Sequence, residues 1–105
     1  QDFDYFWKEP EYDRELLKWK KSDLQKSLET LSEVKKVIEK FNFSHGKDEL
    51  RKVLDEFSQK VGDRGLVYWP LRVAITGQKK SPDPIDIIFV IGKEKTIERV
   101  DFAIK

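Results

Sequence analysis

The chain has no cysteine, no methionine and a single histidine among its 105 residues. Without cysteine there is neither a disulfide framework nor a thiolate metal site. The lone His45 has no partner cluster, so it supports neither a metal centre nor a Ser–His–Asp grouping, and a protease, hydrolase or metalloenzyme fails for want of parts. Long apolar runs are missing too. None would cross a membrane, and the N-terminus lacks a basic-then-apolar leader, so a cytoplasmic setting is the default expectation. Glutamine stands at position 1 in place of methionine, which predicts a piece cut from something longer. Bulk charge is also absent: the net value of +1 gives no hint of nucleic acid.

What is present is unevenly placed. Charged residues make up 39% of the chain and hydrophobic ones 38%, with Leu, Ile, Val and Phe spread throughout, so one globular domain with a modest core is expected. Residues 1–13 carry five acids against Lys8, whereas residues 14–40 carry eight bases and five acids. Arg72, Lys79 and Lys80 face only Asp83 over residues 66–84. A basic middle of this kind fits either a phosphate-facing patch or a solvated helix face.

Residues 1–13 mix aromatics and acids around Pro10 and are expected to be a linker or the tail of a preceding domain, with Phe3, Phe6 and Trp7 closing a helix that lies upstream. Residues 14–105 form the domain proper. Leu16, Leu17 and Trp19 suggest a short helical piece. Ser22 followed by Gln25 fits a capping box, and Leu24, Leu28, Leu31, Val34, Ile38 and Phe41 then form one apolar stripe, which predicts an amphipathic helix over 23–40. After a turn at 42–46, Leu50, Val53, Leu54, Phe57 and Val61 predict a second over 47–61, stopped by Gly62, with solvated charges on its outer face. Ile97, Val100 and Ile104 mark a last amphipathic helix over 93–104.

The region between is ambiguous. The runs 73–76 and 85–91 are β-branched and read as strands by propensity alone. Punctuation points to helices: Pro70 sits where a first helical residue would and Gly77 where a helix would stop. Asp83-Pro84-Ile85-Asp86 offers an N-cap, a proline at the first helical position and an acid in the first turn, and Gly92 closes the segment. An eight-residue apolar run leaves helix and strand at even odds.

At WPLRVAITG the chain becomes recognisable. It resembles the C-terminal anticodon-binding domain of bacterial-type glutamyl-tRNA synthetases, class I aminoacyl-tRNA synthetases. The likeness rests on Tyr68-Trp69-Pro70-Leu71-Arg72-Val73-Ala74-Ile75-Thr76-Gly77, then Ser81-Pro82, then Ile91-Gly92-Lys93-Glu94 and Arg99. Upstream, Tyr12-Asp13 and Leu16-Leu17-Lys18-Trp19 look like the family's passage into its last domain. The resemblance implies an all-α bundle of about five helices, two longer amphipathic ones followed by three short ones, and so tips the disputed runs to helix. It also implies a parent that charges glutamate-accepting tRNA with ATP and magnesium, using catalytic and preceding anticodon domains of the same parent chain. Neither nucleotide signature of that catalytic domain occurs here, so the fragment is expected to be non-catalytic, without a cofactor of its own, and monomeric.

By resemblance, Arg72 contacts anticodon bases and the Ser81-Pro82 turn lies against the third of them. A guanidinium supplies a planar fork of donors for a base edge and a face for stacking. The alternative for Arg72 is an ion pair with Asp83 or Asp86. Pro84 is a weaker candidate, and Asp83 departs from the small residue expected there. Lys79 and Lys80 are either solvated or contact phosphates. Tyr68 and Trp69 either stack on bases or belong to the core, which the adjoining apolar residues favour. Lys93-Glu94 serves packing and capping. The competing function is a helical interaction or scaffold module that retains the fold without RNA binding.

Overall fold

A computed structural model describes residues 8–105. Phe3, Phe6 and Trp7, and the helix end expected of them, lie outside the described residues. Among the described residues there are five α-helices and no strand: α1 Leu24–Lys40, α2 Lys47–Val61, α3 Arg64–Thr76, α4 Pro84–Ile91 and α5 Lys93–Ile104. Short 3₁₀ turns at Arg14–Leu17 and Phe43–His45 precede α1 and α2. No helix is long and apolar enough to cross a membrane.

The stripe expected for the first helix is the buried face of α1, where Leu31, Val34 and Ile38 are fully enclosed. Its cap differs from expectation. Asp23, rather than Ser22, is the N-cap, and its Oδ1 accepts from the Lys26 N–H at 2.7 Å. The Ser22 N–H donates instead to the Trp19 carbonyl, closing a turn one residue earlier. Asp and Ser cap equally well, so the choice between neighbours falls to the preceding turn. The helical piece suggested by Leu16, Leu17 and Trp19 is shorter and tighter than an α-helix, and Trp19 lies beyond it.

Helix α3 is the hub. It packs against α1, α2, α4, α5 and the first 3₁₀ turn, and Leu66, Val67, Pro70, Leu71, Val73, Ala74 and Ile75 are all buried on it. Full burial of one such aliphatic side chain contributes about 1.5–3 kcal/mol, so one helix carries much of the core. Pro70 is not its first residue. The helix begins six residues earlier, where Asp63 Oδ1 accepts from Gly65 and Leu66, and Pro70 is buried within it. A proline there cannot donate to the Leu66 carbonyl. Its enclosure in the core and the cap at Asp63 offset that loss. The stop at Gly77 is as expected, with φ of 70°, a backbone that glycine adopts without a Cβ penalty.

Two close approaches fix the N-terminal part of the chain on α3. Gly65 lies against the Trp19 ring so tightly that a Cβ would overlap it. Trp19 Nε1 donates to Asp63 at 3.0 Å and Trp69 Nε1 to the Leu16 carbonyl at 2.8 Å. At the other end of α3, Pro10 and Tyr12 pack against Gly77. Arg99, only 2% exposed, donates to the Ile75 carbonyl at 2.7 Å and to the Lys8 carbonyl at 3.2 Å. Arg14 in turn donates to the Ala103 and Ile104 carbonyls at the end of α5. Basic side chains thus supply donors to helix-end carbonyls that have no partner within their own helix.

Candidate nucleic-acid interface

Helix α4 starts as the sequence predicts. Asp83 Oδ1 accepts from the Ile85 N–H at 2.9 Å and Pro84 occupies the first turn. The start of α4 faces α2 and α3 across a cleft of about 390 Å³ lined by Arg51, Arg64, Tyr68, Arg72, Asp83, Pro84 and Ile85. Helical spacing explains the lining. Arg64, Tyr68 and Arg72 recur at four-residue steps and share one face of α3, and Arg51 and Asp55 are paired in the same way on α2.

The three arginines are committed differently. Arg51 is 3.2 Å from Asp83 and 3.7 Å from Asp86, and Lys47 joins Asp86 at 3.1 Å. Arg64 is 2.6 Å from Asp55 and lies over the Tyr68 ring, 4.5 Å from its centroid. Tyr68 also donates to the same Asp55 oxygen at 2.6 Å. Burial pushes the Tyr68 hydroxyl well above its ordinary pKa, and the Asp55 hydrogen bond and charge push it the same way. For Asp55, burial acts upward, but the bonds from Tyr68 and Arg64 outweigh it and hold the carboxyl below its ordinary range.

Arg72 makes no ion pair among the described residues. Its Nε donates to Ser81 Oγ at 3.1 Å, and the Ser81 hydroxyl donates onward to the Pro82 carbonyl at 2.8 Å. The structure therefore gives neither Asp83 nor Asp86 to Arg72; both go to cations of α2. The outer face of α2, expected to be solvated, uses Arg51 and Asp55 in ion pairs with other elements.

Of the residues singled out from the sequence, Arg72, Ser81 and Pro84 come together: Arg72 and Pro84 line the cleft and Ser81 is bonded to Arg72. Pro84 is buried in the cleft lining, while Pro82 is exposed on the turn. Lys79 and Lys80 are exposed, outside the cleft lining, and make no ion pair among the described residues. Trp69 is half-buried against the core, whereas Tyr68 is half-buried there and also lines the cleft. Sequence reasoning missed Arg51 and Arg64. The signal was available in the four-residue spacing of Arg64, Tyr68 and Arg72, but it required knowing that α3 begins at Arg64.

A cleft with three guanidinium groups, one unpaired beside a turn exposed at Pro82 and Asp83, suits a polyanion that also presents flat rings and polar edges. Comparison with known proteins supplies the family. The model of the "anticodon binding domain" matches residues 1–104. The chain belongs to that family. This anticodon binding domain is 32% identical over 111 residues to a glutamate–tRNA ligase of Clostridium tetani, covering 100% of this chain and 22% of that protein. It is 34% identical over 102 residues to a glutamate–tRNA ligase of Herpetosiphon aurantiacus, covering 95% of this chain and 20% of that one. A third relative, glutamate–tRNA ligase 2 of Thermoanaerobacter pseudethanolicus, is 37% identical over 81 residues, 77% of this chain and 15% of its own. The domain thus spans about a fifth of the length of these relatives. No solved structure matches it.

Proposed function

We infer that this domain holds the anticodon loop of a glutamate-accepting tRNA, with splayed bases against Arg72 and the Ser81-Pro82 turn and the lysines Lys79 and Lys80 near the backbone. The observation that carries the reading is the state of Arg72. Its Nε is fixed by Ser81, its charge is unpaired among the described residues, and it opens into a basic cleft. Such a group is oriented without being neutralised, which favours RNA over a scaffold role. Arg51 and Arg64 would have to break ion pairs before giving their charge to RNA; Arg72 would not.

The parent activity that fits this module is ATP- and magnesium-dependent ligation of glutamate to tRNA on another domain. Among the described residues no group of three or more His, Cys, Asp or Glu is placed for a metal ion.

The test is a titration of the 105-residue chain with a glutamate-type anticodon stem-loop and with one of altered anticodon, following amide shifts. Arg72→Ala is expected to cost about 1–3 kcal/mol against the first RNA and to shrink the preference between the two. Equal losses against both would mean a phosphate contact. No shift near Arg72 with either RNA, even at low salt, would sink the reading.

A further inference from the structure

We propose that Arg51 is a positioning residue of the cleft: it neutralises Asp83 and holds the start of α4, so that the Ser81-Pro82 turn meets RNA without an opposing charge. This deepens the RNA reading and rests on it.

The argument starts from Asp83. It follows Ser81-Pro82 directly, so its charge stands beside any phosphate brought to that turn, and an uncompensated carboxylate there would repel RNA. Yet the residue has a structural task. Its Oδ1 caps α4 through the Ile85 N–H. The other oxygen, Oδ2, is 3.2 Å from Arg51 Nη2. One carboxylate thus caps a helix with one oxygen and cancels a cation with the other.

Arg51 is well placed to do this. It projects from α2, is only 31% exposed in its side chain, and reaches Asp86 at 3.7 Å as well as Asp83. Lys47, one turn earlier on α2, secures Asp86 at 3.1 Å. Two cations four residues apart on α2 therefore meet two acids three residues apart, the N-cap and first turn of α4, which fixes one helix against the other. Arg51 is occupied in this way while Arg72, across the same cleft, is not. The two arginines divide the work: one supports the turn and the other meets the ligand.

The experiment measures dissociation constants for a labelled glutamate-type anticodon stem-loop and the 105-residue chain at fixed low salt. Arg51→Ala is expected to weaken binding about tenfold, the order of one uncompensated charge beside phosphates near a protein surface at low salt. Adding Asp83→Asn keeps a capping oxygen and removes the charge that needed cancelling. That double variant is expected to return to within about threefold of the unchanged chain. Arg51→Ala with Glu29→Gln makes the same change of net charge on α1, which does not line the cleft, and is expected to stay weak.

A double variant as weak as Arg51→Ala would mean that Arg51 touches RNA itself, and would overturn the proposal. So would equal recovery with Glu29→Gln, which would make net charge the only variable, or an Arg51→Ala variant that binds unchanged. Arg72→Ala is carried alongside: if it binds as well as the unchanged chain, the RNA reading falls on its own evidence. A readout without RNA separates the two failures. In the free chain, Arg51→Ala is expected to shift the Ser81 and Ile85 amides more than that of Gly92. Turn amides that do not move would overturn the positioning role whatever RNA does.

Discussion

Asp55 Oδ1 accepts two strong hydrogen bonds at once, from the Tyr68 hydroxyl and from the Arg64 guanidinium, each at 2.6 Å. Partial burial alone would raise this carboxyl, but the two donors and the nearby arginine charges leave it below its ordinary range. A depressed carboxyl stabilises the fold fully above its unfolded value of about 3.9, and that contribution is lost as pH falls through the lower folded value. Asp55→Asn is therefore expected to flatten the acid limb of stability below about pH 4, measured by urea unfolding at several pH values. At neutral pH it should cost on the order of 1 kcal/mol, as for a hydrogen bond weakened by loss of charge. Asp101, held low by Lys35 and Lys105, adds to the same limb, so the comparison is between variant and unchanged chain. None of this was legible in the sequence. Asp55 looks like one more charge on an alternating helix face, and only the arrival of α3 supplies its partners.

Gly65 shows how one position governs an element. In a solvent-facing helix, Gly→Ala gains up to about 1 kcal/mol. Here the added methyl would overlap the Trp19 ring, which is tied to Asp63 through Nε1 and packs on Trp69 with centroids 6.1 Å apart. Gly65→Ala is therefore expected to destabilise the chain by about 1–3 kcal/mol, the range for overpacking, seen as a lower midpoint in thermal or urea unfolding. A gain in stability would show that Trp19 can move aside. The elements differ in how plainly the sequence announced them. Helices α1, α2 and α5 each bury one face and leave a periodic stripe, and α4 is marked by Asp83-Pro84 and Gly92. Helix α3 is buried over most of its surface apart from the Arg64, Tyr68 and Arg72 face, so no single apolar stripe marks it, and Pro70 imitates a beginning. Its true start depends on Asp63, which reads as an ordinary surface acid until its bonds to Gly65, Leu66 and Trp19 are known.

At the scale of the molecule, Arg99 joins parts that no local pattern connects. Burial pushes its pKa below the ordinary arginine range, with Glu9 opposing that shift from 3.6 Å. Its Nε is buried without a hydrogen bond, so the group depends on the Ile75 and Lys8 carbonyls to satisfy its remaining donors. Arg99→Ala is expected to cost about 3 kcal/mol or more, because it leaves a cavity and an unpaired helix-end carbonyl. Arg99→Lys should recover less than half of that, since a single ammonium lacks the fork that spans both carbonyls. Urea unfolding checks both, and hydrogen exchange at Gly77 reports whether the end of α3 loosens. The sequence motif that contains Arg99 gives no hint of this task, because its partners lie 24 and 91 residues away in the chain.

Those separations bear on the order in which the protein can assemble. Arg14 waits for carbonyls 89 and 90 residues later, and α1 packs most extensively on α5. Synthesis runs from the N-terminus, so the first apolar stripe is made with its largest partner still unbuilt. Contacts of such long range form late, after the entropy of closing the intervening chain has been met. The α1 stripe keeps part of its surface uncovered until residue 104 is free of the ribosome. Charged residues interleave that stripe, from Lys26 and Glu29 to Lys36 and Lys40, a composition that disfavours pairing of exposed apolar segments with their neighbours.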